Sequence, residues 1–286
     1  MIRIGGGFGG RNLANAKVPN DLAAVLDDAW MAARGIEGFL TENEARFLGM
    51  AAAVPPPVRK GEADGAIVEI GSFKGKSTVM LAKVAGHYGL GPVTAIDPHN
   101  LNNPQFAHLR TAPDTTTYKD FLANIERAGV AEGVRPFRTY STEIAKGWTE
   151  PIRLLWIDGD HSHEGAKADF DGFMPYMIPG GVVAIHDALH VFAGPIRVFV
   201  EEILRSERFG AAGFVGSIAW AQYRPEDGAW FGAERAKLDR VAAPLIPLVE
   251  DDMNLRGLKR LRFRLARARV PRGAMGLARW RGLVNG

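Results

Sequence analysis

The sequence predicts a doubly wound α/β fold with a mostly parallel sheet of seven strands and a C-terminal antiparallel hairpin. Two observations predict it. Short β-branched runs alternate with helical stretches from Ala66 to about Ser206, the pattern of a parallel sheet covered on both faces. Two further β-like runs, Gly210–Val215 and Ile218–Tyr223, are separated only by Gly216-Ser217, a tight hairpin. At 286 residues, 47% hydrophobic and 23% charged, the chain has ordinary globular composition and reads as one α/β domain with extensions.

The elements follow in order. The first 20 residues, rich in Gly and Asn, read as poorly ordered. Between Asp21 and Ala53, Leu22, Val25, Leu26, Trp30, Phe39, Leu40, Phe47 and Leu48 recur at helical spacing. Thr41-Glu-Asn-Glu44 is a capping-box start for the second of two helices, and Pro55-Pro-Pro ends it. Strands are predicted at Ala66–Ile70, Val93–Asp97, Val134–Tyr140, Arg153–Asp158 and Gly181–His186. The helices between and after them are predicted at Gly75–Gly86, Thr115–Ala128, Thr142–Gly147, Gly165–Met177 and Pro195–Ser206. Pro179-Gly-Gly reads as a tight turn entering the last parallel strand, and Trp156 as core. The division is 1–60, an N-terminal extension and helical cap; 61–232, the sheet domain; and 233–286, a basic helical extension.

Composition closes several classes of function. Zero cysteines exclude disulfides, thiolate metal sites and a Cys nucleophile. No apolar run reaches the ~18 residues of a membrane span and the N-terminus lacks a signal-peptide layout, so a soluble, cytoplasmic protein is expected. The net charge of +3 conceals a split: from Met253 onward there are ten Lys/Arg and no Asp/Glu, leaving 25 basic against 32 acidic side chains before it. The basic character sits in an appendage with no aromatic platform, so no nucleic-acid partner is expected. In that tail Leu255, Leu258, Leu261 and Leu265 recur at helical spacing among arginines. Such a helix packs its apolar stripe on its own domain or makes peripheral contact with an anionic surface. A homo-oligomer is left open.

The first chemical motif is Ile67-Val-Glu69-Ile-Gly71-Ser-Phe73-Lys-Gly75-Lys-Ser77-Thr, a buried strand running through a Gly turn into a helix N-terminus. Such a turn lets a polar ligand approach the backbone. It has neither the three glycines of a dinucleotide site nor the spacing of a P-loop, which fails by one residue. About twenty residues on, Val93-Thr-Ala-Ile-Asp97 ends a second strand in a carboxylate, where ribose hydroxyls would lie if an adenosine group occupied the crevice at the switch point of the sheet. The second constellation is Leu154-Leu-Trp-Ile-Asp158-Gly-Asp160-His161-Ser-His163-Glu-Gly, followed by Ile178-Pro-Gly-Gly-Val-Val-Ala-Ile-His186-Asp187. Each block ends a buried strand in carboxylate, so Asp158, His186 and Asp187 can converge on the cofactor side of the sheet. Their donor set suits Mg²⁺ or Mn²⁺, the imidazole tilting it towards Mn²⁺. His161, three residues past Asp158, is a natural general base. The same Gly-Asp-His-Ser turn also reads as a helix cap, through Asp160 or Ser162.

The first motif, E-x-G-x-x-x-G with an acidic end to strand two, resembles the class I S-adenosylmethionine-dependent methyltransferases of Rossmann-like fold. The second and third blocks resemble the subfamily with D-G-D-H-S-Y/H-E-G and then P-G-G-x-x-x-x-H-D, found in bacterial enzymes that O-methylate sugars and other natural-product hydroxyls. The resemblance runs from about Ile36 to Tyr223. It implies that Glu69, Gly71, Phe73 and Ser77 frame the methionine end of the cofactor, Asp97 the ribose and Ser141 the adenine edge, with Asp158 between cofactor and metal. The implied activity is transfer of a methyl group from S-adenosylmethionine to a hydroxyl of a small molecule, metal-assisted through Asp158, His186 and Asp187, with His161 and Asp158 catalytic. Metal-dependent relatives often end strand five in two acids or an acid and Asn, whereas this chain has His186-Asp187. A metal-independent methyltransferase and a non-catalytic binding protein of the same fold are the alternatives.

Overall fold

The computed structural model describes residues 18–54, 65–101, 115–249 and 255–284. The Pro55-Pro-Pro run, His108, most of the first 20 residues and most of the segment Asn100–Thr117 lie outside them. Two helices, α1 (Leu22–Ala33) and α2 (Glu42–Ala53), precede the alternating region. It comprises β1 (Ala66–Ile70), α3 (Lys76–Tyr88), β2 (Val93–Ile96), α4 (Tyr118–Arg127), β3 (Val134–Phe137), α5 (Ser141–Ala145), β4 (Ile152–Ile157), α6 (His163–Phe173) and β5 (Met177–Ile185). Helix α7 (Ala193–Val198) continues as a π-helical turn through Leu204 and leads to the hairpin β6 (Phe209–Val215) and β7 (Ile218–Tyr223). Four helices close the described chain: α8 (Gly232–Ala242), α9 (Ile246–Val249), α10 (Gly257–Ala268) and α11 (Leu277–Val284).

The sheet order is β3-β2-β1-β4-β5-β7-β6, parallel from β3 to β5, with β7 antiparallel to β5 and β6. The direction of winding reverses between β1 and β4, which makes their C-terminal ends the crevice of the fold. Period-two alternation sorts each central strand between two cores. Leu154, Trp156, Val182 and Ala184 join the core under α1, α2 and α3, while Leu155, Ile157, Val183 and Ile185 join the one under α6 and α7. All five predicted parallel strands are present, β3 being three residues shorter than predicted.

Three expectations change. Pro179-Gly-Gly is not a turn before the strand: Met177 already pairs with Ile152, and the next register pair is Leu154 with Val182. The extra residues form an irregularity inside β5, with Gly180 at φ +86°. Phe39 and Leu40 lie in the link between α1 and α2 rather than in a helix. The tail leucines divide: Leu255 is buried, but α10 turns Phe263 inward and leaves Leu258, Leu261 and Leu265 exposed. Periodicity shows that a stripe exists, and the neighbouring domain selects which stripe is covered.

The terminal regions share the sheet's cores. Trp280 of α11 is fully buried, edge-on to Phe47 of α2 at 5.3 Å and to Trp220 of β7 at 5.0 Å between ring centroids. Among the described residues no helix is long and apolar enough to cross a membrane. Trp280→Ala should therefore cost roughly 3–5 kcal/mol of stability, as large aromatic deletions in cores do. Chemical denaturation measures it, and a loss below about 1 kcal/mol would show that α11 is not part of the core.

Candidate active site

The site begins where β1 meets β4. Gly71 follows β1 at φ +87°, and a Cβ there would lie 2.1 Å from the carbonyl oxygen of Asp158. Only glycine lets the two strand ends come this close. Its N–H donates to the Ile96 carbonyl at 2.8 Å, and the N–H of Asp158 donates to the Ile70 carbonyl at 2.8 Å, so the ends of β1, β2 and β4 are stitched together.

From Gly71 the chain turns into α3. Asp97, at the end of β2, accepts from the backbone N–H of Phe73 at 2.7 Å and of His99 at 2.6 Å. Both donors belong to residues of positive φ, Phe73 at 47° and His99 at 55°, a backbone state costly for non-glycine residues and held here by the Asp97 carboxylate. The loop is tied to the link before α2 by the Lys74–Glu37 ion pair at 2.8 Å and by Lys76 Nζ donating to the Gly38 carbonyl at 3.2 Å. Phe39, 65% exposed, leans on Phe73.

These groups line a cavity of about 570 Å³. Gly71, Phe73, Ser77, Asp97, Ser141 and Asp158 all lie on its wall, as the sequence motifs imply. Glu69 does not. It is wholly buried behind the loop, where the Thr78 hydroxyl donates to its Oε2, and Oε1 has no hydrogen-bond partner. Burial pushes its carboxyl up to about 7, opposed by the neighbouring hydroxyls of Ser77, Thr78 and Ser72. Glu69 braces the loop from behind, since strand alternation places it with Ile67 on the face covered by α3, where Thr78 meets it. Asn100, Leu101 and Thr117 also contribute to the wall.

At the far end of the cavity Asp158, His161 and Asp187 offer donor atoms that all lie within 4.8 Å of one another. His161 Nε2 is 3.5 Å from Asp158 Oδ1 and 3.5 Å from Asp187 Oδ2. Phe192 stacks on the imidazole at 4.6 Å and 12°, which fixes the ring plane. Ser162 caps α6 by accepting from the Gly165 N–H, and Asp160 accepts from the Ser162 N–H, so the turn is also the helix start that its composition suggested. His163 stands apart on α6, 3.9 Å from Glu201.

His186 lies outside the group of three. It lies just past β5 on the same side as Ala184, beside Trp156, and its Nδ1 donates to Asp158 Oδ1 at 3.0 Å. Its Nε2 is turned towards Glu44 of α2, 3.9 Å away. Burial favours the neutral imidazole, but Asp158, Glu44 and Asp187 outweigh it and hold His186 well above its ordinary value. Glu44, the capping-box residue, accepts from Thr41 through one oxygen and from the Ser217 N–H and hydroxyl through the other, at 2.7 and 2.8 Å. Burial pushes Glu44 up, yet His186 and these donors carry it well below the usual carboxylate range. Asp187 has φ +55° and is held at about 2, where burial is overcome by His190, at 3.0 Å, and by His186 and His161.

The sequence motifs gave Glu44 a capping role only and pointed to none for His190, Phe192 or Asp169. Asp169 had one visible signal, a carboxylate on the apolar face of a helix beside Ala166, Phe170 and Phe173. It lines the cavity and accepts a short hydrogen bond from Ser141. Burial, partly opposed by Ser141, raises its carboxyl from 3.8 to about 7. The folded chain therefore binds this proton more tightly than the unfolded chain does, and stability is lost as pH rises from about 4 to about 7. Asp169→Asn should remove that dependence: its melting temperature, measured against wild type, should gain steadily across this interval and level off above it. A constant difference between the two proteins would place Asp169 at an ordinary carboxylate pKa.

Residues 68–188 match a family model described as "Methyltransferase domain". Among solved structures the chain is similar to the O-methyltransferase NovP, at 14% identity over 71% of this chain and 100% of that one, with a TM-score of 0.53. It is also similar to an O-methyltransferase from Bacillus cereus in complex with SAH, at 19% identity over 74% and 94% of the two chains and a TM-score of 0.48. The O-methyltransferase TomG from Streptomyces achromogenes, in complex with SAM, is similar at 18% identity over 74% and 92%, also with a TM-score of 0.48. The matched region runs from β1 through the end of β5, and with the sheet order above it shows that the chain carries a methyltransferase domain of the class I, S-adenosylmethionine-dependent fold.

Proposed function

We propose that the chain is an O-methyltransferase acting on a hydroxyl of a small molecule, with a sugar or glycosylated natural product as the acceptor class. The observation that carries this reading is that one cavity joins the Gly71–Asp97–Ser141 wall to the Asp158–His161–Asp187 cluster. The acceptor class rests on the resemblance of the Asp158–Gly165 and Pro179–Asp187 blocks.

S-adenosylmethionine, when bound, supplies an electrophilic methyl group, so the chain's own task is alignment and removal of a proton. Asp97 and Ser141, on one wall with the backbone of Gly71 and Ser72, fit a polar ligand lying close to the loop. Asp97, fixed by two backbone N–H groups, keeps lone pairs for ribose hydroxyls, and Ser141 with Asp169 borders the adenine edge. Asp158 stands between this half and the acceptor half. His161, clamped by Phe192 with Nε2 at the cavity, takes the acceptor's proton, and the adjacent carboxylates stabilise the imidazolium that results.

A second reading is favoured by the spacing of the cluster. Two carboxylates and an imidazole whose donor atoms lie within 4.8 Å fit a divalent cation, Mn²⁺ better than Mg²⁺. Held by Asp158, His161 and Asp187, it would increase the acidity of an acceptor hydroxyl. His186 would then orient Asp158 from behind, as outer-shell groups do, in place of the ligand role that the sequence suggested.

Methyl transfer from S-adenosylmethionine to a panel of glycoside and phenol acceptors, followed as S-adenosylhomocysteine released, tests both readings. His161→Ala should lower kcat by roughly 10²- to 10⁴-fold with little change in melting temperature. Activity abolished by chelator and restored by Mn²⁺ assigns His161 as a ligand, and full activity in excess chelator assigns it as the base. A normal kcat with a lowered melting temperature would make His161 a structural residue.

A further inference from the structure

Helix α10 presents an amphipathic face that the domain does not use. Its inward side is Phe263, continued by Val270 just beyond the helix, both buried in the core under α6 and α7. Leu258, Leu261 and Leu265 are 72%, 51% and 58% exposed. At 3.6 residues per turn they centre on the side opposite Phe263. Exposed arginines border this stripe on both sides, Arg262 and Arg269 along one edge and Arg260 and Arg264 along the other. No Asp or Glu occurs from Met253 to Gly286 to neutralise them.

We infer that α10 docks the protein on an anionic lipid surface, with the three leucines at the acyl boundary and the flanking guanidinium groups among the headgroups. A planar anionic surface satisfies both basic edges at once. Symmetric pairing of α10 with a second copy would instead set arginines against arginines. The N-terminal residues 1–17 are no better suited, since they contain Arg3, Arg11 and Lys17 and no acid. The segment that follows the helix is anchored at the same end of the sheet as the active site, where the Arg272 carbonyl accepts from the Gly216 N–H at 3.3 Å.

Co-sedimentation of the full chain with vesicles tests the inference without any turnover. Wild type should sediment with vesicles of equal phosphatidylglycerol and phosphatidylcholine, remain in solution with phosphatidylcholine alone, and be released by salt. Combining Arg260→Gln, Arg262→Gln, Arg264→Gln and Arg269→Gln should weaken binding by about a hundredfold or more, at about fivefold for each charge near the surface. Combining Leu258→Ser, Leu261→Ser and Leu265→Ser should weaken it by about tenfold or more, while unchanged circular dichroism shows that the fold is kept. Absence of binding to the anionic vesicles, equal binding to both kinds, or wild-type binding by either variant overturns the inference. So does sedimentation velocity showing a wild-type dimer that the leucine variant converts to monomer, which would identify a second copy as the occupant.

Discussion

The molecule depends on how closely β1 and β4 approach at the point where the winding of the sheet reverses. The missing side chain of Gly71 lets the Asp158 backbone come within a distance that any Cβ would forbid. Because of that contact the wall formed by Gly71, Phe73 and Asp97 and the Asp158 carboxylate belong to one cavity. The loop that follows can then cross to Asp97, whose carboxylate holds Phe73 and His99 in positive φ. The strain is local, and two short hydrogen bonds to a charged acceptor are of a size to offset it.

A second constraint comes from burying charge beneath the acceptor half. Asp158 and His186 form a contact at 3.0 Å, with Glu44 on the other side of the ring and Asp187 3.7 Å from Nδ1. A buried carboxylate is costly alone, and here each is matched by a ring nitrogen or by donors from Thr41 and Ser217. The arrangement ties α2 and the β6–β7 turn to the end of β4, across 173 residues of sequence between Glu44 and Ser217. His161, in contrast, is held by Phe192 and faces the cavity. Two histidines near strand ends thus have different positions, one beneath Asp158 and one above it.

Much of this was legible in the sequence because strand ends carry their own punctuation. β1 occurs where its β-branched run predicted it, and Gly71, Asp97, Asp158 and Asp187 mark four strand ends on one edge of the sheet. The Thr41–Glu44 capping box was also legible, but its reach to Ser217 and His186 was not, since local spacing carries no information about a partner so distant. The direction of His186 followed from alternation with Ala184 and Trp156, a signal present in the sequence and outweighed there by its position beside Asp187. Glu69 shows the same effect, being one strand position too early to reach the open end. In the tail the sequence left open whether the leucine stripe docks or faces outward; Leu255 is buried ahead of α10, Leu258, Leu261 and Leu265 face outward, and Phe263 and Val270 supply the docked side.

A cavity that binds the methyl donor also binds its demethylated product. Isothermal calorimetry of the full chain with S-adenosylhomocysteine tests this binding most directly. Saturable binding at one site per chain is predicted, weakened by roughly 1.5–3 kcal/mol in Asp97→Ala, the range for loss of a hydrogen bond to a charged group. Absence of binding to the wild-type protein at saturating ligand would contradict it.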